Sequence, residues 1–219
     1  MDQYLSPARF IDSDSPEVAE FARKAVDGAS GEVDKVQRLY AAVRDGITYD
    51  PYVNFADPAN FRASGVLAAG RGFCVGKAAL LAACCRAVGI PARVGYADVR
   101  NHMTSPKLYE KIKTDVFIWH SYAELFVGGR WVKATPAFDA ALCARVGIAP
   151  LAFDGQTDSL FQPFDRAGRK HMEYLKDRGA FADVPFETMV ADFRATYPTL
   201  ISDKGISGDF RAEVVAATD

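Results

Sequence analysis

Two side chains in this sequence have the chemistry of a nucleophile and its base, and each stands where a fold can put it to use. Cys74 closes the segment Gly70-Arg71-Gly72-Phe73-Cys74, immediately before a strongly helical run from Val75 to Val88. A thiol at a helix start meets unpaired backbone N–H groups and the positive end of the helix dipole, both of which favour thiolate. The same N–H groups can donate to the oxyanion of a tetrahedral intermediate. Gly70 and Gly72 allow a sharp approach and leave room for a substrate. A small buried cysteine is also an ordinary core residue, so the position alone does not assign chemistry. A base is needed.

Of the three histidines, His102 falls in a polar loop, at the surface or a cleft rim, and His171 in the charged stretch Arg169-Lys170-His171-Met172-Glu173. His120 lies within Phe117-Ile118-Trp119-His120-Ser121-Tyr122-Ala123-Glu124-Leu125, a strand pattern with aromatic neighbours. Strict alternation places His120 on one face with Ile118, Tyr122 and Glu124, and Trp119 on the other. Cys84 and Cys85, in mid-helix, and Cys143, after the hairpin, read as packing residues.

The elements that must position this pair follow from local signals. Ser15 and Pro16 start a helix over Glu17 to Val26, ended by Asp27-Gly28. A second helix is expected from about Glu32 to Arg44, with Val33, Val36, Leu39, Tyr40 and Val43 on one face. After Gly46, an irregular region containing Pro51 and Pro58 suits the wall of a cleft. Tyr49, Tyr52, Phe55 and Phe61 are expected to line it, with Phe73 and Trp119 excluding water. The run from Val75 to Val88 is apolar nearly all round, which makes it a buried central helix, stopped by Gly89 and Pro91. Strands are expected over Ala92 to Val99, Val116 to Val127 and Arg130 to Thr135, the last two joined by a Gly128-Gly129 turn. Helices followed by an antiparallel meander indicate an α+β fold. Beyond Pro136 the pattern loosens around Asp154-Gly155, Pro163-Phe164-Asp165 and Asp183-Val184-Pro185. One helix is expected around Phe186 to Thr196, and a partly mobile end from Ser207 to Asp219.

Composition narrows the function classes. The 219 residues are 49% hydrophobic and 25% charged, enough for a core without disulfide or metal staples. A single domain is expected, its core spanning about 30–140 and residues 141–219 wrapping it. The formal net charge of -2 gives no electrostatic footprint for nucleic acid or an anionic membrane. No apolar run reaches the roughly 18 to 20 residues that span a bilayer. The segment MDQYLSPARFIDSDSP has neither the basic start nor the apolar stretch of a secretory signal. A cytoplasmic protein with four reduced cysteines is therefore expected. No C-x-x-C pair or cysteine-histidine cluster suggests zinc, and no acidic cluster has calcium-loop spacing. No cofactor motif is present, and the oligomeric state is left open.

The stretch Gly65-Val66-Leu67, Gly70-Arg71-Gly72-Phe73-Cys74, Leu80-Leu81 and Arg86-Ala87-Val88-Gly89-Ile90-Pro91-Ala92-Arg93 resembles the core of the transglutaminase-like superfamily. Trp119-His120-Ser121-Tyr122-Ala123-Glu124-Leu125, followed by Gly128-Gly129-Arg130-Trp131-Val132, resembles its histidine motif and the strand after it. The resemblance implies a papain-like fold, with a central helix carrying the cysteine packed on an antiparallel sheet carrying the histidine. It also implies a Cys-His-Asp triad working through a thioester. The substrate class it implies is a peptide or peptide-like amide, cleaved by a protease- or amidase-like enzyme or transferred by a transglutaminase-like one. A catalytically degenerate peptide- or protein-binding module is the alternative.

One position departs from the family pattern. The triad Asp usually lies four residues after the tryptophan of the returning strand, which here is Thr135. Alignment on Ala-Thr-Pro instead gives Lys133, whose ammonium cannot accept a hydrogen bond. The nearest carboxylate is Asp139, taken here as the third catalytic residue, with the Thr135 hydroxyl as the other possible orienter and Asp115 as a further candidate. Asp139 equally fits a turn residue.

Overall fold

A computed structural model describes residues 1–102, 104, 106–161, 168, 172–199 and 206–216. Two surface helices come first. Helix α1 (Pro16–Ala25) begins with proline at its first position and buries Val18 and Ala22. The Ser15 hydroxyl does not cap it but donates to the Glu17 carboxylate at 2.8 Å. Helix α2 (Gly31–Gly46) buries Val36, Leu39, Tyr40 and Val43, four of the five positions expected on its inner face. The region after it is not wholly irregular. Strand β1 (Thr48–Tyr49) pairs in parallel with β2 (Arg71–Gly72), which follows helix α3 (Ala63–Ala69) and its left-handed cap Gly70. This short ladder ties the segment after α2 to the approach of Cys74.

Helix α4 (Cys74–Ala87) is buried at every residue from Val75 to Arg86. Helices α1, α2 and α3 surround it, and strands β3 (Ala92–Asn101) and β4 (Val116–Val127) close the remaining side. A helix without a polar face gains stability only when it is enclosed in this way. Its two buried cations are not left bare, which would be costly. Lys77 Nζ donates to the carbonyls of Arg44 at 2.8 Å and Ile47 at 2.5 Å, closing the C-terminal end of α2. Arg86 donates to the carbonyls of Ser6, Ala92 and Ala182.

Strands β3, β4 and β5 (Arg130–Ala134) form the expected meander. Gly128 and Gly129, at φ of 57° and 82°, make the two-residue turn that right-handed twist favours. A fourth strand, β6 (Met172–Phe181), lies antiparallel to β3, giving the order β5-β4-β3-β6. It was not anticipated, because an exposed edge strand carries charged residues and little alternation. Three further helices occupy stretches read as loop or tail: α5 (Pro106–Ile112), α6 (Ala140–Val146) and, nearest the C-terminus, α8 (Phe210–Ala216). Between them, α7 (Phe186–Thr196) has the predicted bounds and buries Phe186, Met189, Val190 and Phe193. His171 and Pro163-Phe164-Asp165 lie outside the described residues.

The enclosure of α4 makes a prediction whose sign opposes helix propensity. Alanine normally stabilises a helix by about 1 kcal/mol relative to glycine. At Gly76, an added Cβ would stand 2.6 Å from the Asn60 carbonyl oxygen and 2.6 Å from Val66 Cγ2. Overpacking of this kind costs about 1–3 kcal/mol. Gly76→Ala is expected to lower stability in urea titrations.

Candidate active site

Cys74 is the first residue of α4, after Phe73 in extended conformation. It is partly exposed, whereas Cys84, Cys85 and Cys143 are buried. Its sulfur lies against backbone groups of Ser121 and Val75. Ser121 directly follows His120 on β4, so the start of α4 and the strand that carries His120 meet at this point. Cys74 also touches two apolar clusters, the main core and a smaller one built from Ala97, Val99, Tyr122, Ala137, Phe161 and Met172.

The electrostatics differ from the simple helix-start expectation. Close packing around the sulfur pushes the Cys74 thiol up to about 11, against the lowering effect of the Ser121, Val75 and Cys74 backbone groups. Desolvation of the anion outweighs the dipole. His120 is shifted in the complementary direction, down to about 4, by burial. At neutral pH the resting pair is therefore thiol and neutral imidazole.

His120 is 6% exposed, and its Nε2 has no hydrogen-bond partner among the described residues. Its ring is flanked by Phe161 and Tyr174, with centroids 5.8 Å and 6.2 Å away. Among the described residues the Tyr174 hydroxyl, too, is buried without a hydrogen bond. Beyond them, a shallow depression of about 230 Å³ is lined by residues that include Ala97, Tyr122, Lys133, Leu160, Tyr174 and Asp177. It lies near His120, since Ala97 is the register partner of His120 across β3 and β4. Lys133 Nζ sits 4.8 Å from the centre of the Tyr122 ring on this face. Tyr174 and Phe161 escaped the sequence reading. The only signal for Tyr174 is Met172-Glu173-Tyr174, one short period of strand alternation.

The candidate orienters are all engaged away from His120. Thr135 Oγ1 donates to the Ser159 carbonyl at 2.8 Å. Asp115 pairs with Arg100 at 3.2 Å. Asp139 caps α6, accepting from Leu142 N–H at 2.9 Å, and also accepts from Tyr49 N–H at 2.9 Å. Its second oxygen takes a 2.5 Å ion pair from Arg211 of α8. Asp139 thus knots β1, α6 and α8 together.

The other sequence-predicted positions divide clearly. Tyr49 packs against the clusters that Cys74 touches and against Phe138 and Phe210. Phe55, Phe61 and Phe73 instead pack edge-to-face on one another inside the main core, and Tyr52 is buried with them. Trp119 lies in the main core, on the side away from His120 as alternation required, but Ile118 packs against that core too. The reason is a bulge. Ala97 opposes His120 and Val99 opposes Phe117, so Ile118 and Trp119 together face Asp98, and alternation is broken there. His102 pairs with Glu173 at 3.2 Å, at the end of β3. Among the described residues, no group of three or more His, Cys, Asp or Glu side chains is arranged to hold a metal ion. Nor is any helix among them long and apolar enough to cross a membrane.

The knot at Asp139 has a pH signature. Burial pushes its carboxyl up, but the Tyr49 and Leu142 N–H groups and Arg211 together hold it below the usual range. A depressed carboxylate contributes stability above its unfolded pKa of about 4 and loses it as pH falls through the folded value. Asp139→Ala removes a helix cap and strands Arg211, and is expected to cost about 1–3 kcal/mol at pH 7. In denaturation curves the gap to the parent protein should narrow below about pH 4.

None of the curated proteins matches the chain. Among solved structures it is similar to "a Putative Cysteine Protease from Cytophaga hutchinsonii", with a TM-score of 0.49 and 20% identity over 82% of this chain and 46% of that one. It is also similar to a "putative protease" from Parabacteroides distasonis, with a TM-score of 0.43 and 22% identity over 58% of this chain and 24% of the other. A third, "a TGase", has a TM-score of 0.39 and 17% identity over 92% and 53%. The chain spans about half the length of these structures or less. Residues 19–136, more than half of the sequence and including both Cys74 and His120, match the transglutaminase-like superfamily, and the chain belongs to it.

Proposed function

We propose that the protein is a thiol-dependent acyl-transfer enzyme acting on amide bonds of peptides or peptide-like molecules, with Cys74 as nucleophile and His120 as base. The observation that carries this reading is that Cys74 opens α4 where the helix packs on β4, and touches the cluster whose Phe161 flanks the His120 ring. Family membership supports the same assignment.

The neutral resting pair favours general-base attack over a standing thiolate–imidazolium pair. Cys74 sulfur adds to the amide carbonyl carbon while His120 takes the thiol proton. Backbone N–H groups at the start of α4 receive the developing oxyanion in this reading. Collapse breaks the C–N bond, and the proton passes from His120 to the leaving amine or ammonia, leaving a thioester. Water, or an amine in a transfer reaction, then adds to the thioester carbonyl with His120 again accepting the proton. The C–S bond breaks and the thiol is restored. The alternative reading, a binding module without turnover, draws on the unpartnered Nε2 of His120 and the engaged state of Asp139 and Thr135.

Alkylation by iodoacetamide, read by mass spectrometry at each cysteine, tests the pair. Preference for Cys74 over Cys84 and Cys85 follows from exposure alone; dependence on His120 does not. The rate at Cys74 is expected to be nearly level across neutral pH and to fall as pH approaches about 4, where His120 protonates. In His120→Ala it should be slower at neutral pH by about 10²-fold and climb with pH toward about 11. Cys74→Ala should abolish acyl-enzyme formation with the fold intact. Equal rates with and without His120 would reject the assignment of the base.

A further inference from the structure

A bulge on β4 and the first of two register shifts on β6 lie on either side of β3 near His120. On β4, Ile118 and Trp119 together oppose Asp98. On β6, Tyr96 opposes Gly179 while Ala97 opposes Asp177, which leaves Arg178 as the extra residue. The two bulges are wired together. Arg178 forks onto Asp98, with Nε at 2.5 Å from Oδ1 and Nη2 at 3.0 Å from Oδ2. Its Nη1 reaches Asp192 of α7 at 2.9 Å. Both carboxylates then grip Trp119: its backbone N–H donates to Asp98 at 3.2 Å, and its indole N–H to Asp192 at 2.8 Å. The guanidinium also lies 4.5 Å from the centre of the Trp119 ring.

All of this converges on a backbone that needs holding. Trp119 has φ of 60°. A bulky residue in the left-handed region costs about 1–3 kcal/mol and persists only where its surroundings over-determine it. The residue directly after it is His120, whose direction depends on how the bulge turns the strand.

We propose that Asp98, Arg178 and Asp192 are positioning residues for His120, acting through the Trp119 bulge. The inference rests on His120 being the base. The network touches neither the Cys74 sulfur nor the imidazole, so its effect on reactivity passes through the direction of β4. Among the described residues no carboxylate is bonded to the ring; the fold fixes the ring by fixing the backbone that carries it, and by packing Phe161 and Tyr174 against it.

A double-mutant cycle with iodoacetamide as the probe tests this. Alkylation rates at Cys74 are measured at pH 7 for the parent, Arg178→Met, His120→Ala and the double variant, with urea melts checking that each is folded. A base displaced by a fraction of an ångström loses much of its effect. Arg178→Met is therefore expected to slow the parent by at least about tenfold, yet to leave the rate of the His120→Ala protein unchanged. Arg178→Lys keeps the charge but not the fork, and should recover only part of the loss. Should Arg178→Met not fold, Asp192→Asn serves in the same cycle, and an unchanged rate in it overturns the proposal. The same slowing in both backgrounds, or none in either, also overturns it while leaving His120 as base. No effect of His120→Ala itself removes the base reading and this one with it.

Discussion

An α-helix that is apolar on every side has to be enclosed on every side, and α4 imposes that condition on the rest of the chain. Three helices and two strands are spent on covering it. The enclosure is tight enough that Gly76 has no room for a methyl group. Only its two end residues, Cys74 and Ala87, emerge from cover, and Cys74 is the one at the N-terminal end. The candidate site is thus placed by the core: Cys74 stands where the buried helix surfaces, at the seam with the strand that carries His120.

The same enclosure sets the chemistry. A helix terminus in water would favour thiolate, but here the cost of desolvating an anion is larger than the help of the dipole. The imidazole is equally dry. Both groups rest uncharged, so the catalysis proposed above would couple proton transfer to attack. On that proposal, the charge that develops during reaction is met by fixed backbone dipoles, an arrangement that works best where water is excluded.

Much of this was legible in the sequence, for identifiable reasons. The stretch from Val75 to Val88 could be read as a buried helix because its composition admits no other environment. The hairpin at Gly128-Gly129 was readable because only that turn chemistry fits the strands on either side. Cys74 and His120 stood out through a helix start and a strand, both local signals. What failed was non-local. Ile118 was assigned to the face of His120 by a period-two rule that a bulge suspends, and the bulge is specified by Asp98 and Arg178, which lie elsewhere in the chain. Strand β6 escaped because an edge strand needs charge more than alternation. Phe55 and Phe61 were given to the cleft because they precede Cys74 in the chain, whereas their packing on Phe73 draws them into the core. Asp139 caps α6, a helix where the sequence suggested only a turn, and its partner Arg211 sits on α8, in a tail that looked loose.

Arg86 adds a consequence of another kind. Its guanidinium takes carbonyls from residues 6, 92 and 182, which are close neighbours only in the finished fold. If the N-terminal arm or the segment after β6 lifts away, buried N–H donors lose their acceptors, at a cost of the order of 1–3 kcal/mol. Neither segment can fray as freely as an ordinary chain end. Local opening there is coupled to the central helix, so peripheral parts of the chain share in the cooperativity of the core.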